Sequence, residues 1–403
     1  AEQRHGDADL RMGRIAAALA SISAFPLPAN SLDAALVGEL AQAQAEGYGR
    51  WQQAKARADF SLFAPALERL IQLRLKQARQ LEPVERSASG EPRSPWEILA
   101  QPFEPEVSKA QLAALLLPLG DNLPPLLERA RSLPKGSHGP WDLPEEQQQR
   151  LCDQLLEEWG YNPQRCAKAR SPHPFSSTLG PDDFRITTRV VAGQPFSAFL
   201  ATAHEWGHSL YEQGLPRNGE HWFPWPLGEA TSMAVHESQS LFYENRLARS
   251  GALAQRWYPR FREALGRDVW GSGQAFWRDL NPIRAGLTRV EADEVSYGLH
   301  VLLRYRLELA LLERGEVTGE IGLAAQQAAI AQADIRLLRR LCCLCCLRRL
   351  GRLFRLRGGR VDLATIAAIA GLKLERIIIL SPRSWKRSYG PAARSRKRPT
   401  HSS

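Results

Sequence analysis

Residues 195–214 read PFSAFLATAHEWGHSLYEQG. Phe196, Phe199, Leu200, Ala203 and Leu210 recur at helical spacing, and Gly214 with Pro216 just beyond gives a stop signal, so the stretch predicts one amphipathic helix. Within it, HEWGH places His204 and His208 four residues apart. That spacing stacks them a turn apart on one face, where both imidazoles can reach one ion. Glu205, one residue on, flanks that ion and can take a proton from an attacking water. Hydrolytic zinc sites use three protein ligands and one open position, so a third donor is needed from another element.

GEATSMAVHESQSLFYENRLARSG (228–251) predicts a second helix, whose HES centre supplies two candidates. Glu237 is preferred, because a carboxylate completes a two-histidine, one-carboxylate set suited to peptide hydrolysis. His236 is the competitor, with a supporting role behind the ligands as its other reading. TRVEADEVSYGLHVLLRYRLELALLERG (288–315) predicts a third helix with Val295, Leu299, Leu302, Leu303 and Leu309 on its apolar side. Arg289, Asp293, Tyr297, His300 and Arg304 follow one another at steps of three or four as a polar stripe. Such a stripe is either a salt-bridged surface or the wall of a cleft, in which an arginine can grip a carboxylate.

Upstream, the chain reads as successive amphipathic helices from about residue 9 to 160. One starts at a Ser31 cap, and a second, APALERLIQLRLKQARQL, precedes a polar break, EPVERSASGEPRSP. LPEEQQQRLCDQLLEEWGY (143–161) buries Leu151, Leu155 and Trp159. The clear strand is DDFRITTRVV (182–191), with Asp183, Arg185 and Thr187 on one face and Phe184 and Ile186 on the other. Before it, SPHPFSSTLG (171–180) holds His173 between two prolines, in a loop stiff enough to present a side chain.

The net charge of +10 over 403 residues is unevenly spread. Residues 336–403 hold 18 of the 53 Lys and Arg with only Asp362 and Glu375 against them, while the first 335 residues carry 35 basic and 41 acidic groups. Binding to phosphates is therefore expected of the tail at most, and non-specifically. Four of the six cysteines crowd into LCCLCCL, so no disulfide framework is indicated and a reducing compartment is expected. No uncharged run long enough to span a membrane occurs. The opening AEQRHGDADLRMG lacks a charged-then-apolar export signal, so export is not expected.

Taken together, HPF at 173–175, DxRxT at 183–187, HExxH at 204–208, HESQS at 236–240 and RVEAD at 289–293 give the chain a resemblance to the M32, thermostable-carboxypeptidase family of metallopeptidases. The likeness extends more loosely over about residues 10–315. It implies a mainly α fold, a large helical zincin-like metallopeptidase with a short β-sheet bordering a deep groove. It also implies a cytoplasmic homodimer that trims single residues from the free C-termini of peptides with zinc or cobalt. Carried over by motif, His204, His208 and Glu237 would hold the metal and Glu205 would activate the water. Arg289 is similar to an arginine proposed to recognise the terminal carboxylate, and Asp183, Arg185 and Thr187 look like the strand beside the groove. His236, His173, Asp293 and His300 would stand behind these groups. A zinc endopeptidase would share HExxH without needing Arg289.

The chain also departs from the family. The family's late GxxQDxHW motif is missing, and after about residue 318 the text becomes LLRRLCCLCCLRRLGRLFRLRGGR. Such crowding of Arg, Leu and Cys resembles a GC-rich coding region read out of frame, with a frameshift expected near residues 316–335 and a genuine basic appendage as the alternative. The expected organisation is an N-terminal helical region (1–165), a catalytic core (166–317) and an atypical tail (318–403). A shortened relative that binds metal without full activity is the alternative to a working carboxypeptidase.

Overall fold

The structure is a computed structural model that describes residues 32–105, 107–133, 142–171, 173–216, 223, 228–283 and 292–316. Helices α1 (Ala34–Arg57), α2 (Ala64–Ser89), α3 (Pro95–Ala100), α4 (Lys109–Arg131) and α5 (Glu145–Glu158) lead into strands β1 (Cys166–Arg170), β2 (Phe175–Gly180) and β3 (Asp183–Thr188). Then come α6 (Pro195–Gly214), α7 (Met233–Leu241), a wide π-helical segment (Phe242–Ala248), α8 (Gly251–Leu265), α9 (Gly273–Leu280) and α10 (Glu294–Arg314). Among the described residues the fold is mainly helical, and no helix is long and apolar enough to cross a membrane.

Ser31, the expected first cap, lies outside the described residues; Asp33 Oδ1 accepts from the Ala35 amide at 3.0 Å at the start of α1. Helix α2 does not break at the polar stretch after Leu81. It runs through Pro83 and ends only where Gly90 takes a left-handed φ of 76°. Polar residues fit a solvated helix face, and one proline removes a single backbone donor; the stop needs a residue free to adopt positive φ.

Two hydrophobic clusters hold most of the core. In the first, Leu36 of α1, Phe63, Leu70 and Ile71 of the α2 region, Trp96 of α3 and Leu116 of α4 pack with Leu302 and Tyr305 of α10. Trp96 meets Tyr305 edge to face at 5.6 Å, and its Nε1 donates to Glu308. In the second, Leu155 of α5 and Phe199 and Ala203 of α6 pack with Trp257, Phe261 and Phe276 of α8 and α9. Packing therefore crosses the chain order: α10 closes on the N-terminal helices, while α5 joins the helices that follow the sheet.

The three strands form one sheet in the order β1-β3-β2, with β1 parallel and β2 antiparallel to β3. Sequence alternation marked β3; CAKAR and FSSTLG carry weak strand signals and are recruited because a central strand must pair on both edges. Phe184 and Ile186 turn inward to Cys166, Leu156 and Trp206, and so lay the sheet against α6.

Glu97 joins two helix starts. Its carboxylate accepts from the Ser94 amide and hydroxyl at the head of α3 (2.9 and 2.7 Å) and from the Lys109 amide at the head of α4 (2.8 Å). Burial alone would raise its pKa, but these hydrogen bonds and the Lys109 charge hold it below the ordinary value. A depressed carboxyl stabilises the fold above its unfolded pKa, and that contribution is lost as pH falls through the folded one. Glu97→Gln is expected to lower stability by about 1 kcal/mol at neutral pH, with the difference shrinking in urea titrations carried out below the ordinary carboxylate range.

Candidate metal centre

Two flanks of α6 are spoken for. Phe199, Leu200 and Ala203 enter the second cluster, Trp206 packs on the sheet and donates Nε1 to the Trp159 carbonyl at 3.1 Å, and Leu210 lies against the same patch. The remaining side meets α7 at Gly207. A Cβ there would stand 2.7 Å from Ser240 Cα and 2.8 Å from the Gln239 carbonyl oxygen, closer than real side chains approach. The two helices thus cross backbone to backbone, which brings Glu237 over the HEWGH face.

Helix α7 is shorter than the expected 228–251. It starts after Ser232, whose hydroxyl accepts from the Val235 amide at 3.0 Å. Glu104, from the turn after α3, accepts from the Ser232 hydroxyl and the Ala234 amide, and the Phe103 carbonyl accepts from the Met233 amide. At its other end α7 widens into the π-helical segment, which carries Glu244. Inserted turns of this kind recur at functional sites because they redirect side chains.

His204, His208 and Glu237 each turn one donor atom inward, and these atoms lie within 4.8 Å of one another. His208 Nε2 is 2.9 Å and His204 Nε2 3.8 Å from Glu237 Oε2. Tetrahedral zinc with bonds of ~2.0–2.2 Å spaces its ligand atoms by about 3.3 Å, so the donor set fits such an ion. Among the described residues this is the one group of three His, Cys, Asp or Glu so arranged. His208 and Glu237 are buried, His204 is half-buried, and Glu205 is buried beside them.

His236 is not in the donor group. Its Nδ1 faces His208 Nδ1 at 2.7 Å, and its Nε2 meets Glu212 Oε1 at 2.8 Å. On the other ligand, His204 Nδ1 meets Glu244 Oε2 at 2.9 Å, and Arg249 in turn reaches Glu244. Burial opposes charge on His204, but the carboxylates of Glu237, Glu244 and Glu205 outweigh it and push its pKa up to about 9. Burial likewise opposes charge on Glu244, yet His204 and Arg249 hold its pKa below the ordinary value.

Of the described residues also singled out in the sequence, Asp183, Arg185, Thr187, His173, Asp293 and His300 are not members of that donor group. Asp183 and Arg185 pair with each other at 2.8 Å on the outer side of β3. Thr187 is buried, where it contacts the Ser171 hydroxyl at 2.6 Å and accepts from the Phe175 amide, so it braces the loop that carries His173. His173 is exposed, and its carbonyl accepts from the Ser171 hydroxyl. Asp293 precedes α10 and caps it, accepting from the Val295 and Ser296 amides at 2.9 Å. His300 is buried within α10. Arg289 and the tail from 317 onward lie outside the described residues. Sequence reading missed Gly207, Glu212, Glu244 and Glu104. Gly207 sits between the motif histidines, but only a second helix shows why it lacks a side chain.

A HExxH helix crossed by a second helix that delivers a carboxylate is the arrangement of metallopeptidases. The chain matches the Carboxypeptidase Taq (M32) metallopeptidase family over residues 7–321 and belongs to it. It is 37% identical over 298 residues to thermostable carboxypeptidase 1 of Thermus thermophilus, covering 72% of this chain and 57% of that protein. It is 34% identical over 269 residues to carboxypeptidase 1 of Bacillus subtilis, covering 65% of this chain and 51% of that one. The crystal structure of an M32 carboxypeptidase from Deinococcus radiodurans R1 superposes with a TM-score of 0.66 at 27% identity, over 75% of this chain and 60% of that chain. The chain thus spans little more than half the length of these curated relatives. Family membership implies a metal cofactor.

The crossing generates a direct test. Gly207→Ala is expected to cost about 1–3 kcal/mol by overpacking, read as a lowered urea midpoint. Gly214→Ala, with open space around its Cβ, should leave the midpoint nearly unchanged.

Proposed function

We propose that this chain is a metal-dependent carboxypeptidase that releases single residues from the C-termini of peptides. The observation that carries the proposal is the convergence of His204, His208 and Glu237 from two crossing helices, in a chain that belongs to a metallopeptidase family. The three side chains would hold zinc, or cobalt in its place. A divalent ion bound there supplies Lewis acidity, polarising the scissile carbonyl and easing deprotonation of water.

The chain's own groups account for the rest. Glu205, buried next to His204, accepts a proton from the attacking water and returns it to the leaving amine. Glu244 fixes the ring of His204 so that Nε2 points at Glu237. Arg289 takes the terminal carboxylate through a two-pronged contact, which separates this activity from that of an endopeptidase. The outer face of β3, with Asp183 and Arg185, borders the groove in which the extended peptide lies, and Thr187 holds the neighbouring loop. A cytoplasmic homodimer is the setting we infer from the family. The basic tail takes no part in this reading.

The test is release of the C-terminal residue from an N-blocked dipeptide, with and without added zinc or cobalt. Metal-dependent release is expected, with Glu205→Gln lowering kcat by at least a hundredfold while metal still binds. Glu237→Gln is expected to abolish metal binding itself. Protein that is folded and metal-loaded yet releases nothing would overturn the proposal, leaving a shortened relative that binds metal alone.

A further inference from the structure

Behind His208 runs a chain of buried groups, two of which, Thr178 and Glu212, lie outside the motifs quoted above. Thr178 of β2 donates its hydroxyl to Glu212 Oε2 at 3.0 Å. Glu212 Oε1 lies 2.8 Å from His236 Nε2, and His236 Nδ1 lies 2.7 Å from His208 Nδ1. All four residues are buried, and the His236 ring is flanked by Tyr211 and His208 at centroid distances of 4.6 and 4.7 Å.

The order of donors follows from the ends. An ionised carboxylate only accepts hydrogen bonds, so His236 Nε2 carries the proton it gives to Glu212. A neutral imidazole protonated there presents a lone pair at Nδ1, so the hydrogen between the two histidines must come from His208 Nδ1. His208 would then turn the lone pair of Nε2, the atom 2.9 Å from Glu237 Oε2, toward an ion held between the two. If the hydrogen between the two rings came from His236 instead, a neutral His208 would carry its own proton on Nε2, the nitrogen that has to face the ion.

We infer that Glu212 is a positioning residue for the metal: acting through His236, it holds His208 in the tautomer whose Nε2 can ligate. The inference rests on the metal site proposed above. It makes Glu212, four residues beyond the last histidine of HExxH, as much a part of the centre as the motif, and it ties the centre to the sheet through Thr178. A metal-ligating histidine is ordinarily oriented by one carboxylate or carbonyl; here a second imidazole is interposed, so the orienting charge sits one ring farther away.

The experiment compares zinc affinity, by competition with a chromophoric chelator, in the unmodified protein and in Glu212→Met, Glu212→Gln and Glu237→Gln, each checked for an unchanged melting profile. Methionine fills the space but accepts no proton from His236, and zinc should bind about 10–100-fold more weakly. Glutamine keeps an accepting oxygen and turns the Thr178 contact round, so it should restore affinity to within a few-fold. Nitrogen-15 histidine spectra of the zinc-loaded protein supply a readout that needs no variant: His208 should be protonated on Nδ1 and His236 on Nε2. The opposite tautomers, or equal affinity in Glu212→Met and the unmodified protein, or a glutamine variant as weak as the methionine one, would overturn the inference. If Glu237→Gln still binds zinc as tightly as the unmodified protein, the metal site itself is misplaced, which is a separate failure.

Discussion

Everything at the centre depends on the distance between two helix backbones. Because Gly207 offers no Cβ, α7 seats its Gln239 carbonyl and Ser240 directly on α6, and a side chain as short as glutamate then spans the gap to two imidazoles. A wider crossing would leave Glu237 stranded on its own helix and the histidines as a pair. The cores on either side serve this contact: the aromatic cluster of α8 and α9 presses on one flank of α6, and the sheet presses on the other through Trp206. The helix can then neither roll nor slide without exposing large apolar surface.

The same closeness gathers charge. Glu205, Glu212 and Glu237 are buried, and half-buried Glu244 stands behind His204. Carboxylates removed from water are costly unless a cation or a set of donors answers them. His204 answers part of that charge, the carboxylates around it pushing its pKa up to about 9. An ion held by these residues would take over that electrostatic role, so binding it would be an exchange of one cation for another.

The sequence made α6 and the convergence of its two histidines legible because both follow from one period: apolar residues repeat along the helix, and histidines four apart share a face. The choice of Glu237 over His236 came from ligand chemistry and agrees with the donor geometry, although both residues turn toward His208. Other features were illegible for a common reason. Glu212 and Glu244 gain meaning only from partners 24 and 40 residues distant, which no local window contains. The π-helical segment after α7 adds a residue to a turn without leaving a mark in the hydrophobic pattern. Strands β1 and β2 owe their form to β3 rather than to their own composition. Asp293 looked like one more member of a polar stripe, when its short side chain was instead closing the first turn of α10. The change of character near residue 318 lies close to where the family match ends at 321, beyond the described residues.

One modest contact carries a wider meaning. The nine-residue helix that bears Glu237 is held at its head by Glu104 and by Phe103, which packs against the first hydrophobic cluster, while the histidines sit on α6, whose apolar side chains enter the second. An ion held there would therefore act as a rivet between two bodies of packing. Occupancy and cohesion become one thermodynamic quantity: an ion bound across the seam raises the work needed to melt either side, and loosening the N-terminal helices lowers the hold on the ion by the same amount.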